Sequence, residues 1–391
     1  MLRRHLSPLA FVFALLGSGL GRADEPTLHV RGGTVIRRAP KATAPRVAVL
    51  AEETDLPRIG QQGAWVEVRW EKATGWVSLA GLAGVLGAEP LLGSAPEPTH
   101  PVAARKPDPE RLARARGLLG SALPKSAKTG SHLGPYPLLT NVAAPERIAF
   151  LDRTAGQVET AYRERYGRTP IGAPAETVLL FENEGAYRVY QDAEGALAGA
   201  EASGHSGYGL VAIWDGGRPT REIAETLVHE IVHLLNRRAI GPQLPPWLDE
   251  GIADDLAHSK IGDDGALDPS TLGGTAFRAG GRIQYFGAKA ALRQLVEAQG
   301  EGTAPSLPDL FAMPWETFVA EGADLHYAQA SFFVRYLLGG ENGTLAPGLR
   351  AFLNAVADGG EPSAGALEKS LGKNWPELEA GFRVWVVGLS E

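Results

Sequence analysis

The stretch GAEPLLGSAPEPTHPVAARKPDPE, Gly87 to Glu110, is what most limits the folds open to this chain. Proline fixes φ and removes a backbone donor, and here it recurs every few residues with no apolar period, so the stretch suits neither sheet nor helix. It reads as a semi-extended linker. At 391 residues the chain also exceeds what one hydrophobic core usually serves. Two folded units are therefore expected, separated by residues 87–134, in which PERLARARGLLG is a short helix and KSAKTGSHLG a second loose stretch. No internal repeat is visible.

Upstream, residues 26–86 hold short strand-like runs split by turns: LHVRGGTVIRRAP, RVAVLAEETDLPRIG, AWVEVRW and TGWVSLAGL. Alternation is clean from Trp65 to Trp70, with Trp65, Glu67 and Arg69 on one face and Val66, Val68 and Trp70 on the other. A small all-β antiparallel barrel is the expected architecture. The RRAP element after the first strand, Trp65 ahead of VEVR, and Gly75-Trp76 in the last strand resemble the bacterial SH3-like domain. The resemblance implies a module that binds cell-wall peptides or another protein. Its tryptophans equally suit the filling of a small core.

Residues 1–23 carry Arg3 and Arg4, an apolar run from Leu9 to Leu16, and Gly21 and Ala23 at the −3 and −1 positions of a cleavage site. That is the layout of a secretory signal peptide, too short for a spanning helix. No other stretch is long and apolar enough to cross a bilayer, so an exported, soluble, periplasmic or extracellular protein that does not span the membrane is expected. Cysteine is absent, which rules out disulfides, thiol catalysis, cysteine-ligated metal and a lipid anchor on cysteine. Loss of residues 1–23 removes three arginines and no acid, taking the formal charge from −7 to −10. An acidic chain without basic runs interleaved with aromatics is a poor match for nucleic acid.

Residues 135–391 read as the second unit. YPLLTNV and TVLLF are strand-like, and PERIAFLDRTAGQVETAYRERYG is a long helix with apolar Ile148, Leu151, Val158 and Tyr162. EGAYRVYQDA is a further helix, and YGLVAIW a strand closed by the turn DGG. From Thr220 onward the pattern predicts helices alone. A small sheet beside a helical half is an α+β arrangement.

TLVHEIVHLL, Thr226 to Leu235, sits at the start of that helical half. Thr220 is the expected N-cap, Glu222 favours the first turn through the helix dipole, and Ile223, Leu227, Ile231, Leu234 and Leu235 form a buried stripe. At about 100° per residue, His229, Glu230 and His233 fall within an arc of roughly 100° beside that stripe. Two histidines four apart are by themselves compatible with ordinary helix packing. With a glutamate after the first, both imidazoles can chelate one Zn²⁺ while the carboxylate reaches a metal-bound water. Catalytic zinc takes three protein ligands and keeps a position open. The third is expected from PPWLDEGIADDLAHS, where Pro245 and Pro246 start a new helix and Glu250 and Asp254 face one way. Glu250 is assigned as the ligand, and Asp254 as acceptor of a hydrogen bond from a histidine ring. Asp249 and Asp255 read as surface charges, with a place behind the ligands also open to Asp249. His205 and His258 could approach the metal but read more simply as solvent-exposed.

HEIVH, sixteen intervening residues, and WLDEGIADD resemble the gluzincins, the glutamate-ligand zinc peptidases of the peptidase MA-like superfamily. Trp-Leu-x-Glu-Gly-x-Ala is similar to the aminopeptidase-N branch and Glu250-x-x-x-Asp254 to the thermolysin pattern, with a spacing slightly shorter than in either. The resemblance extends more weakly over residues 135–391. TVLLFENEGAYRVYQ is similar to the family's strand-and-helix lead-in, YGLVAIW to the edge strand along which extended substrate lies, HYAQASFFVRYLL to a later helix bearing a tyrosine, and ALEKSLGKNWPELEAGFRVWV to the closing helical pair. It implies a zincin-like fold, zinc on His229, His233 and Glu250, Glu230 as general base, and Tyr327 as the donor to the oxyanion. From the sequence alone His326 and Tyr208 stay open as rivals for that last role.

The expected function is hydrolysis of peptide bonds in a peptide or protein substrate, with zinc and Glu230 activating water, aimed by the SH3-like unit. The alternative is a cell-envelope binding or scaffold protein whose zincin-like domain is idle. Glu230 separates the two, because a structural zinc site needs no base beside its ligands. A nonpeptidic amide hydrolase would share the chemistry and differ in its pocket.

Overall fold

The computed structural model describes residues 27–30, 35–40, 44, 46–50, 54–62, 65–70, 73–78, 100–119, 131–193, 203–242, 244–279, 282–320 and 322–390. The signal-peptide stretch 1–23 and residues 87–99 of the proline-rich stretch lie outside the described residues. The chain divides into two units, Met1–Ser78 and Leu79–Glu391.

In the first unit, β1 (Thr27–Val30), β2 (Val35–Arg37), β3 (Arg46–Val49), β4 (Thr54–Gln62), β5 (Trp65–Trp70) and β6 (Ala73–Ser78) form one sheet in the order β1-β4-β5-β6-β2-β3. Every pairing is antiparallel. The period-two reading of β5 holds: Val66 and Val68 are buried while Arg69 is exposed, because alternate side chains leave opposite faces of a strand. Ile36, Leu56 and Val77 join the valines in a small apolar core. Trp65, Trp70 and Trp76 are each half-buried.

The second unit is built on a five-stranded mixed sheet of β7 (His132–Leu133), β8 (Tyr136–Thr140), β9 (Thr177–Phe181), β10 (Gly204–Gly207) and β11 (Leu210–Trp214), in the order β10-β11-β9-β8-β7. The three inner strands run parallel, and β7 and β10 pair antiparallel at the two sides. Helices cover both faces, which is why TVLLF is apolar throughout rather than alternating. On one face Val178, Leu180, Val211 and Ile213 pack with Leu151 and Val158 of α2 (Pro145–Tyr166) and with Leu227 and Ile231 of α4 (Thr220–Ala239). On the other, Leu179, Phe181, Leu210 and Ala212 meet Ala115 and Leu119 of α1 (Pro109–Leu119) and Tyr187 and Tyr190 of α3 (Glu184–Ala193). The short helix expected inside the linker is therefore a layer of this unit, because Ala115 and Leu119, one turn apart, cover the sheet.

Past α4, the described residues form α5 (Pro246–Ala257), two hairpins and seven further α-helices. The hairpins, β12 (Ser259–Ile261) with β13 (Leu267–Leu272) and β14 (Thr275–Ala279) with β15 (Arg282–Phe286), correct the expectation of helices alone after Thr220. The second is signalled by Gly280-Gly281 between two short alternating runs. A second correction concerns the edge of the sheet. YGLVAIW supplies β11, an inner strand, and GHSG just before it is the edge strand. No described helix is long and apolar enough to cross a membrane.

Candidate metal centre

The stripe on α4 behaves as its period predicts: Ile223, Leu227, Ile231, Leu234 and Leu235 are all buried. Thr220 is not the N-cap. Pro219 occupies that place, and the Thr220 hydroxyl accepts a hydrogen bond from Arg147 Nε at 3.2 Å. α5 starts at Pro246 after an extended Pro245, and buries Leu248, Ile252 and Leu256 on the side away from Glu250 and Asp254. Gly251 sets how closely the later helix α9 (Ala323–Gly339) lies against α5. A Cβ there would stand 2.8 Å from Ala330 O and 2.9 Å from Val334 Cγ2.

Three ligand-type atoms converge where α4 and α5 face each other. His229 Nε2 lies 3.0 Å from His233 Nε2, 3.2 Å separates His229 Nε2 from Glu250 Oε2, and 3.4 Å separates His233 Nε2 from Glu250 Oε2. The remaining ring nitrogens point at carboxylates. His229 Nδ1 meets Asp254 Oδ1 at 2.7 Å, and His233 Nδ1 meets Asp249 Oδ2 at 3.1 Å. A carboxylate only accepts, so each Nδ1 carries the proton and, in the neutral ring, each Nε2 presents a bare lone pair. Glu250 Oε2 is buried and makes no hydrogen bond.

Three lone pairs aimed at one point repel unless a cation sits among them. The spacing fits zinc, since two ligands on a tetrahedral ion with bonds of about 2.0–2.1 Å are about 3.3–3.4 Å apart. Two imidazoles and one carboxylate are also a standard donor set for that ion. Without metal the same field draws protons. Burial opposes charge on His229, but Asp254 and Glu250 outweigh it and lift the ring to about 10. Burial likewise opposes charge on His233, and Asp249 and Glu250 raise it well above its ordinary value. Glu250 is held at about 2 against the effect of burial, by His233 and His229. His229, His233 and Glu250 are the one group of acids and histidines with metal-ligand spacing among the described residues.

Glu230 follows His229 on α4 and is buried. Burial raises its carboxyl pKa, opposed by His229, His233 and the Ser206 hydroxyl, which favour the charged form. Tyr327, on α9, is half-buried, packs edge-on against Phe318 at 5.1 Å and brings its hydroxyl within hydrogen-bonding reach of the Glu250 carboxylate. Burial first, then the charges of Glu250, Asp254 and Glu230, push that phenol far above its usual range. Its rivals are engaged elsewhere. His326 is buried with Nδ1 at 2.9 Å from Phe318 O, and Tyr208 is exposed at the β10–β11 turn under Arg111, whose guanidinium carbon is 3.6 Å from the ring centre.

Four acids and histidines fall differently from their sequence readings. Asp249 is the partner of His233. It also accepts from Asn236 Nδ2 at 2.7 Å, and Asn236 Oδ1 in turn accepts from the Tyr162 hydroxyl at 3.0 Å. Its signal was present in sequence: two imidazoles turned to one point need two acceptors for their other nitrogens, and Asp249 and Asp254 flank Glu250. Asp255 is no surface charge. It is fully buried between Arg165, Arg335 and the Tyr166 hydroxyl, which donates at 2.6 Å. His205 is not solvent-exposed but half-buried on β10, with Nδ1 at 3.1 Å from the Tyr187 hydroxyl. His258 ends α5 with Nδ1 at 2.9 Å from Ser331 Oγ. Neither joins the ligand cluster. No protein-family model matches the chain, and no curated protein matches it significantly.

Proposed function

We propose that this chain is an exported zinc-dependent peptidase of the gluzincin type, carrying an N-terminal SH3-like module for cell-wall peptide or protein. The observation that carries the reading is the convergence of two bare imidazole nitrogens and an unbonded carboxylate oxygen at tetrahedral spacing, with the buried carboxylate of Glu230 beside them. Three protein ligands leave the fourth position of a tetrahedral ion open, which suits catalysis better than a structural role. When bound, zinc supplies Lewis acidity toward a scissile carbonyl and a water acidified toward neutral pH.

The chain's own residues do the rest. His229, His233 and Glu250 hold the ion, and Asp254 and Asp249 keep both rings turned with Nε2 forward. Glu230 takes the proton of the attacking water and passes it to the leaving amine, and the burial that raises its pKa raises its strength as a base. The Tyr327 hydroxyl, held protonated, donates to the carbonyl oxygen as it becomes an anion. β10 has no strand partner on its outer side among the described residues, so an extended peptide can add there as a further strand through main-chain hydrogen bonds.

Metal analysis combined with a peptide-library digest tests the reading. About one zinc per chain is expected, with cleavage by the wild type that Glu230→Gln abolishes while keeping its metal. A wild type that holds zinc yet cleaves no more than Glu230→Gln makes the domain an idle scaffold.

A further inference from the structure

We propose that Ser206 is a positioning residue for Glu230, its hydroxyl delivered by the edge strand β10 to hold the carboxylate in the orientation of a base rather than of a ligand. The proposal rests on reading Glu230 as that base.

The argument starts from the pattern of GHSG. Alternate residues of a strand face opposite sides, so Gly204 and Ser206 share one face and His205 takes the other. His205 confirms the assignment, since its ring bonds the Tyr187 hydroxyl and stacks 5.7 Å from the Tyr190 ring, both on α3. Gly204 therefore faces α4, and it can lie there only because it has no side chain. A Cβ at Gly204 would stand 2.9 Å from the methyls of both Ile213 and Thr226 and 3.0 Å from Glu230 Cγ. Two residues along, Ser206 shares that face, and its hydroxyl favours the charged form of the Glu230 carboxylate. Glycine brings the strand down on the helix beside Glu230, and serine adds a hydroxyl on the same side.

Glu230 needs such a contact because of where it stands. It is buried beside two imidazoles and a second carboxylate, and a glutamate side chain has three torsions. Left free, a carboxylate next to a cationic centre turns toward it and competes with Glu250 as a ligand. A hydroxyl donor outside the ligand cluster holds it back. The donor is itself fixed. Gly204 and Ser206 are in register with Ile213 and Val211 of β11, and the turn that follows is pinned at the start of α1, where Asp108 N–H, one residue before the helix, donates to Tyr208 O at 3.1 Å and Arg111 lies over the Tyr208 ring. A rigid hairpin positions a side chain more tightly than a loop does.

The test uses the full-length protein and three variants, Ser206→Ala, Ser206→Thr and Ser206→Val. Threonine and valine have the same shape, so a difference between them reads the hydroxyl alone. The first readout needs no activity: crystal structures of the metal-free wild type and Ser206→Val. A single Glu230 carboxylate conformer bonded to Ser206 is expected in the wild type, and a displaced or split one in Ser206→Val with β10 unmoved. An identical Glu230 position in both overturns the proposal. The second readout is kinetic, on zinc-loaded protein. Ser206→Ala and Ser206→Val should retain stoichiometric zinc and KM while kcat falls about tenfold or more, and Ser206→Thr should restore it. Wild-type kcat in Ser206→Val, or no recovery in Ser206→Thr, overturns it. If Glu230→Gln proves as active as the wild type, the base assignment has failed, while the crystallographic comparison still decides whether Ser206 holds that side chain.

Discussion

In the proposed zinc site, Asp254 and Asp249 set how well the two histidines serve as ligands. Each accepts from an Nδ1 and so presents an Nε2 lone pair to the centre. Asp254→Asn and Asp249→Asn preserve shape but remove the charge, and Asn can turn its amide toward the ring. Each is expected to weaken zinc binding by about 10- to 100-fold, measured by competition with a chelator of known affinity. Unchanged affinity in Asp249→Asn would make that contact incidental. His205 gives a pH prediction away from the metal. Burial first, then Arg111, holds its pKa at about 4, against 6.5 ordinarily. Between these values the unfolded chain binds a proton that the folded one refuses, so stability is full above pH 6.5 and falls toward pH 4, by about 3 kcal/mol in all. His205→Gln keeps a partner for Tyr187 without the titration, so its metal-free Tm should drop less between pH 7 and pH 4.5 than that of the wild type. An equal drop would remove His205 from the acid response. At this scale the sequence is legible where helix period alone sets the geometry. His229, Glu230 and His233 share one side of α4 as its period requires, while Glu250 comes from α5, and its place beside them was legible through the resemblance of HEIVH and WLDEGIADD to a known pattern. Asp255 was illegible because its partners Arg165 and Arg335 lie on helices far along the chain, and no local rule distinguishes it from Asp254 beside it.

Among the elements, the contact of α5 with α9 places Tyr327 near Glu250, and Gly251 sets its distance. Alanine is the better helix former by about 1 kcal/mol, so on propensity Gly251→Ala should stabilise. The contacts at 2.8 and 2.9 Å argue the reverse, since one is backbone and cannot move without shifting α9. Overpacking costs about 1–3 kcal/mol, and a net loss of stability is expected in urea titration, together with a lower kcat as Tyr327 withdraws. A variant as stable and active as the wild type would mean that the two helices separate freely. Helices and apolar strands were the readable elements: α2, α3 and β9 fall where their patterns put them. β10 was not readable, because GHSG has no branched or apolar residue and two of its four positions are glycine. Pairing with β11 makes it a strand, and that information lies outside its own four residues.

At the scale of the molecule, the boundary of the second unit is a matter of which residues its sheet needs covered. Proline-rich composition placed residues 87–134 in a linker, yet residues 101–119 belong to the fold. Val102 N–H donates to Arg237 O at 3.2 Å and Asp108 N–H to Tyr208 O at 3.1 Å, and Ala115 and Leu119 are buried on Leu179, Phe181, Leu210 and Ala212. Proline-rich chain can be ordered where its carbonyls and its few N–H groups meet an existing surface, and composition carries no record of that surface. The first unit has its own buried set in Ile36, Val66, Val68 and Val77, so the two cores are separate. A fragment of residues 100–391 should therefore fold cooperatively and bind zinc as the intact protein does. A fragment of residues 131–391 should not match it. Losing α1 uncovers the part of that face that α3 does not cover, and Leu119 alone is worth about 1.5–3 kcal/mol of burial, with Ala115 and the half-buried Leu112 and Leu118 adding to it. A deficit of about 4 kcal/mol or more in urea titration is expected for the shorter fragment. Its β10–β11 turn, released from Asp108 and Arg111, should also become the first site of limited proteolysis. Equal stability of the two fragments would return α1 to the linker and leave the hairpin to hold Ser206 against Glu230 unaided.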